Sequence, residues 1–96
     1  MAGLQTSYMV EAVYVEGAAE KRAPFREDHL DRMGKLYREG VVLVAGALAD
    51  MSASVMVLNV DFEETARAII ETDTYWRNGI WTGFTIRKLN RVAFEQ

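Results

Sequence analysis

The sequence predicts an α+β chain of the ferredoxin-like type, βαββαβ, with a four-stranded antiparallel sheet. Four β-rich apolar stretches and two stretches of helical periodicity follow one another as strand, helix, strand, strand, helix, strand. The right-handed rule for crossovers then places both helices on one face of the sheet. The strands carry large apolar side chains on both sides, although the other face has no cover within the chain. At about 25 cal/mol per Å² of apolar surface, leaving that face wet forgoes several kcal/mol, comparable to the whole stability of a small domain. A homodimer joined sheet to sheet, a dimeric α/β barrel, is therefore expected. The alternative is an open apolar face that serves another partner.

Residues 1–6 read as a short disordered lead. Ser7 to Val15 reads as the first strand, with Tyr8, Val10, Ala12 and Tyr14 on one side and Met9, Val13 and Val15 on the other. Glu16 to Ala23 is polar and small, suited to a surface loop, and Pro24 follows where its fixed φ can open a helix. From Pro24 to Glu39 the spacing of Phe25, His29, Leu30, Met33, Leu36 and Tyr37 follows the i, i+3, i+4 rule, and Gly40 supplies the stop.

Val41 to Leu48 is the second strand, and Gly46 inside it suggests a bulge or the close passage of a ligand or backbone. Ala49 to Ser52 is short enough for a hairpin turn leading into the third strand, Ala53 to Val60. Asp61 with Glu64 resembles a capping box, and Phe62, Ala66, Ile69 and Ile70 form one helical face ending around Glu71 to Asp73. Asp73 to Gly79 is a compact aromatic turn, with Gly79 free to take positive φ. Ile80 to Leu89 alternates as the last strand, with Trp81, Gly83 and Thr85 opposite Thr82, Phe84 and Ile86; residues 90–96 read as a tail with Val92 and Phe94, either free or an extension that docks elsewhere.

A chain of 96 residues is one domain by length. Its net charge of −3, with basic residues dispersed among acids, leaves no footprint for nucleic acid. The absence of cysteine excludes disulfides, thiolate nucleophiles and zinc–thiolate sites. No apolar run reaches the length that spans a bilayer and the first residues lack signal-peptide character, so a soluble, cytoplasmic protein is expected. One histidine without cysteines argues against a metal site, and no phosphate-cradling glycine motif is present, so no cofactor is expected.

His29 is the sole histidine, the one side chain that changes charge near neutral pH without a large perturbation. It lies on or at the border of the buried stripe of its helix, where it either moves a proton or simply fills an interface. Arg26 can bind a substrate carboxylate or phenolate through its bidentate guanidinium, or it is an exposed helix arginine. Tyr75, Trp76 and Trp81 either line an aromatic pocket or pack in a core. Ser52 and Ser54 have no second base within sequence reach, which argues against a serine triad.

Three motifs, in this order and at these separations, carry a resemblance that spans nearly the whole domain: Arg26-Glu27-Asp28-His29-Leu30, Glu39-Gly40 followed by the apolar strand with Ala45-Gly46, and Glu71-Thr72-Asp73-Thr74-Tyr75. They resemble the R-x-x-H-L, E-G-x-x-x-x-A-G and acidic D-P-[YF] segments of the YCII-related (YciI-like) family of dimeric α/β-barrel proteins. The resemblance implies a pocket beside the sheet in which His29 faces Asp73 as a catalytic pair; Arg26, Tyr75 and Gly46 are the candidates for contact with substrate. It further implies acid–base work, elimination or isomerisation, on a small cyclic or aromatic molecule. Thr74 departs from the family's proline, and the loop between the middle strands is shorter than in many relatives. Two other readings stand beside the enzyme: a non-catalytic ligand-binding or accessory module of a metabolic or biosynthetic pathway, and a plain structural dimer.

Overall fold

The computed structural model describes residues 2–94. Its four strands are β1 (Ala2–Tyr14), β2 (Val42–Ala47), β3 (Ala53–Leu58) and β4 (Trp81–Phe94), joined in the antiparallel order β2-β3-β1-β4. Two longer helices, α2 (Ala23–Arg38) and α3 (Glu63–Glu71), cover one face, and two single turns, α1 (Ala18–Lys21) and α4 (Thr74–Arg77), precede and follow them. The predicted α+β ferredoxin-like arrangement is thus present. The loop expected before Pro24 contains the extra turn α1, entered through Gly17, and the aromatic turn after Thr72 is the turn α4.

Alternation along the strands builds the core. Tyr8, Val10, Ala12 and Tyr14 of β1 and Met56 and Leu58 of β3 are buried beneath Met33 of α2 and Ala66 and Ile70 of α3. Helix α2 ends where the sequence indicates. Gly40 adopts φ 79°, its N–H donates to Tyr37 O and that of Val41 to Leu36 O, so two carbonyls the helix leaves open are satisfied. The start of α3 differs from expectation. Phe62, not Asp61, is the N-cap residue, and no side chain caps the helix. Leu30 and Tyr37 are also exposed, because the buried stripe of α2 is narrower than the six predicted positions.

The expected disordered lead is corrected and the tail is found docked on it, residues 1, 95 and 96 lying outside the described residues. Ala2 to Thr6 pairs with Asn90 to Phe94, Leu4 facing Val92, so that β1 and β4 run on past β3 as a two-stranded ribbon. The partners lie at opposite ends of the chain, and neither segment alternates strongly, so no local pattern announces the pairing. The ribbon leaves Leu4, Val92 and Phe94 exposed, Phe94 at 78%.

Two bulges shape the sheet. In β2 the extra residue is Leu43, between Val42 opposite Leu58 and Val44 opposite Val57; the bulge suggested at Gly46 is absent, and Gly46 pairs regularly with Val55. In β4 the extra residue is Thr82, since Val13 faces Gly83 while Tyr14 faces Trp81. An inserted residue reverses the alternation on either side of it. Trp81 therefore shares the helix-covered face with Phe84 and Ile86 instead of lying opposite them.

The face away from the helices carries Val13, Val44 and Leu89 exposed, and Met9, Val55 and Val57 half-buried. No helix of the described residues is long and apolar enough to cross a membrane.

Candidate active site

His29 and Asp73 come together from elements 44 residues apart. Helix α2 presents the imidazole toward the sheet, and Asp73 is held as the N-cap of the turn α4, where its Oδ1 accepts the Tyr75 N–H at 2.9 Å. Thr74, where the resembled motif has proline, occupies the first helical position of that turn, the place a proline would also suit. The turn keeps its geometry through the side-chain cap.

The carboxylate of Asp73 is 0% exposed and fully engaged. Oδ1 is 2.8 Å from His29 Nδ1, and Oδ2 accepts from Arg32 Nη1 at 3.0 Å. Arg32 is anchored in turn by Ile69 O and Thr72 Oγ1, which fixes the guanidinium across the end of α3. A carboxylate facing a guanidinium and a backbone N–H acts as an acceptor, so Nδ1 of His29 is the donor and the Nε2 lone pair is left open. Arg32, which the sequence reading does not single out, lies three residues after His29 on the same helix face; that spacing is the signal that could have found it, although charged helix residues usually face water.

Aromatic rings hold the imidazole flat. The Tyr75 ring stacks on His29 with centroids 3.8 Å apart and 9° between planes, and Trp81 meets His29 edge-on at 5.4 Å. Only the β4 bulge makes this Trp81 contact possible. Burial pushes the Tyr75 phenol above its ordinary pKa, with the positive charge of Arg22 opposing the rise, so Tyr75 enters the site as a neutral O–H.

In front of His29 a cavity of about 180 Å³ opens between α2 and the β2–β3 edge. Arg26, Tyr75 and Gly46 line it, as does Arg22. A Cβ added at Gly46 would meet nothing within 4 Å, so no backbone or side chain packs close there. A second polar group borders the same space, joining Trp81, weighed above for an aromatic pocket, and Ser54, weighed above only as a nucleophile, to Tyr14 and Arg22. Trp81 Nε1 donates to Ser54 Oγ at 3.1 Å, Ser54 Oγ and the Tyr14 hydroxyl are 2.8 Å apart, and Arg22 Nη1 donates to Tyr14 OH at 3.2 Å. The polar tips of Tyr14 and Ser54 meet only once β1 and β3 pair, so no local pattern marks them as partners. Among the described residues no three histidine, aspartate or glutamate side chains converge as a metal site would require.

This geometry can move a proton at Nε2 while Asp73 holds the tautomer and stabilises the imidazolium that forms, within a space of the size of a single ring. The sequence pattern that defines the YCII-related domain matches residues 6–90. The chain belongs to the YCII-related family. Among solved structures, this YCII-related chain is similar to 5-chloro-2-hydroxyhydroquinone dehydrochlorinase (TftG) from Burkholderia phenoliruptrix AC1100, determined in complex with 2,5-dihydroxybenzoquinone. The identity is 14%, the TM-score 0.73, and the match covers 84% of this chain and 90% of that one. Such a likeness establishes a shared fold. No curated protein matches the sequence significantly.

Proposed function

We propose that this YCII-family protein is a small homodimeric enzyme that uses His29 and Asp73 for acid–base chemistry, elimination or isomerisation, on a small cyclic or aromatic metabolite. The observation that carries the reading is the 2.8 Å contact between His29 Nδ1 and a buried Asp73 carboxylate at the wall of a ring-sized cavity. A histidine that merely filled a core would need neither the oriented carboxylate nor the space in front of Nε2.

In an elimination, Nε2 takes a proton from the substrate, the electron pair released forms a new π bond, and the leaving group departs with its bonding electrons. In an isomerisation the imidazolium returns that proton to a different atom. Asp73 keeps its hydrogen bond to Nδ1 throughout, facing the cation that forms on the ring. Arg26 is assigned to a substrate oxygen and Tyr75 to the ring face, while Gly46, opposite Val55 in the sheet, borders the ligand through its backbone. The solved neighbour's name as a dehydrochlorinase of a hydroxylated ring supports elimination as the first reaction to try. The apolar face bearing Val13, Val44 and Leu89 supports a dimer joined through the sheets.

The test is a panel of chlorinated and non-chlorinated hydroxyhydroquinones, followed by chloride release and ultraviolet absorbance. Turnover that disappears in His29→Gln, while the variant stays folded and dimeric, is the expected result. Full turnover in that variant overturns the assignment, and ring compounds that bind and are recovered unchanged make the protein a binding module.

A further inference from the structure

We propose that Tyr14, backed by Arg22 and Ser54, is a binding site for a negatively charged substrate oxygen, so that the pocket selects conjugated oxyanions, phenolates or enolates, over neutral rings. The proposal rests on the reading of this cavity as the substrate site and adds to it the chemical form of the ligand.

The reason is a proton count. The Tyr14 and Ser54 hydroxyls bring two protons, and each oxygen already accepts one bond, from Arg22 and from Trp81 respectively. The 2.8 Å bond between the hydroxyls uses one proton. Whichever way that bond points, the second O–H finds no acceptor among the described residues, and both side chains border the cavity. A spare donor at a buried position is a place where a ligand oxygen completes the network. The charge around it has one sign. Arg22 and Arg26 line the cavity, and among the described residues neither is ion-paired; the carboxylate ion pairs there belong to Asp73, behind His29. The Arg22 guanidinium polarises the Tyr14 hydroxyl it contacts, which strengthens that O–H as a donor to an anion.

The walls fix the shape. The rings of His29, Tyr75, Trp81 and Tyr14 line part of a half-open space of about 180 Å³, and a cavity of about 150 Å³ is known to take benzene. When Nε2 removes a proton from a conjugated hydroxyl-bearing ring, negative charge accumulates on oxygen, and fixed donors aimed at that oxygen stabilise it without reorganising.

The experiment uses two probes of nearly equal shape, 4-nitrophenol, whose visible absorbance reports its ionisation, and its neutral methyl ether 4-nitroanisole. The wild-type protein is expected to bind the phenolate about 10- to 100-fold more tightly than the ether, the range for a hydrogen bond to a charged group, and the bound dye should ionise at lower pH than the free dye. Tyr14→Phe should lose about tenfold of that preference. Arg22→Gln, on a half-exposed side chain, should weaken it too, and this variant decides the matter if Tyr14→Phe fails to fold. His29→Gln should keep the preference, so loss of catalysis and loss of oxyanion recognition are read separately. Equal binding of dye and ether, no binding of either, or a preference that survives in folded Tyr14→Phe or in Arg22→Gln overturns the proposal, as does a preference lost in His29→Gln alone.

Discussion

Replacing Asp73 by Asn leaves the shape of the site intact and removes one acceptor and one charge. Oδ1 serves two donors, the Tyr75 N–H at 2.9 Å and His29 Nδ1 at 2.8 Å, so the asparagine oxygen is drawn to that side. Its NH₂ then faces Arg32, donor against donor, where 3.0 Å now separates a charge-assisted pair. A lost hydrogen bond between charged groups costs about 1.5–3 kcal/mol. Breaking a fully buried pair costs about 3–5 kcal/mol, but the Arg32 side chain is 27% exposed and recovers hydration, so the lower range applies. The expected loss is about 2–3 kcal/mol, roughly 10–20 °C in Tm for a domain of this size. Urea unfolding at one fixed protomer concentration, with an unchanged m value, measures it. A loss below about 0.5 kcal/mol, the level of an ordinary surface substitution, would refute the claim that the contacts of Asp73 with Tyr75 N–H, His29 and Arg32 hold this part of the fold together.

Burial raises the Tyr75 pKa in the fold above its ordinary value of 10.0, so the neutral phenol stabilises the protein below that value and the contribution is lost as pH rises from there through the folded-state pKa; Tyr75→Phe should show a smaller alkaline loss of Tm than wild type, and identical alkaline limbs would contradict this. Val13→Glu places a charge on the helix-free sheet face, where Val13 is 48% exposed; sedimentation is expected to show a dimer in wild type and a monomer in the variant, and a wild-type monomer at micromolar concentration removes the dimer. Gly40→Ala forces φ 79° on a residue with a Cβ and should cost about 1 kcal/mol in urea unfolding; a neutral result would mean the end of α2 rearranges easily.

What the sequence reveals and what it conceals divide along the range of the signal. Strand alternation and helical spacing are local, and the four strands, α2, α3 and the buried set Tyr8, Val10, Ala12 and Tyr14 follow from them. Pairings between the chain ends are not local, so neither Ala2–Thr6 nor Asn90–Phe94 carries a signal that names the other as its partner. Bulges are invisible for a related reason: a single inserted residue such as Thr82 leaves the composition of a strand unchanged and reverses which side chains point inward, which is how Trp81 arrived beside His29. The meeting of His29 with Asp73 was anticipated through a motif resemblance, not through periodicity. The residues that complete the site, Arg32, Tyr14, Ser54 and Arg22, carry no motif and acquire a role only from contacts made across the fold.

The state of the single imidazole tests the centre of the argument most directly. With nitrogen-15 histidine incorporated, one set of ring signals reports His29 alone. With the ring neutral, Nδ1 should carry the proton and Nε2 should appear as the unprotonated nitrogen, and 2,5-dihydroxybenzoquinone should shift the Nε2 signal while Nδ1 stays bonded to Asp73. A neutral ring protonated at Nε2, or an Nε2 signal that ignores the ligand, would mean that His29 is a packing residue and not a proton shuttle.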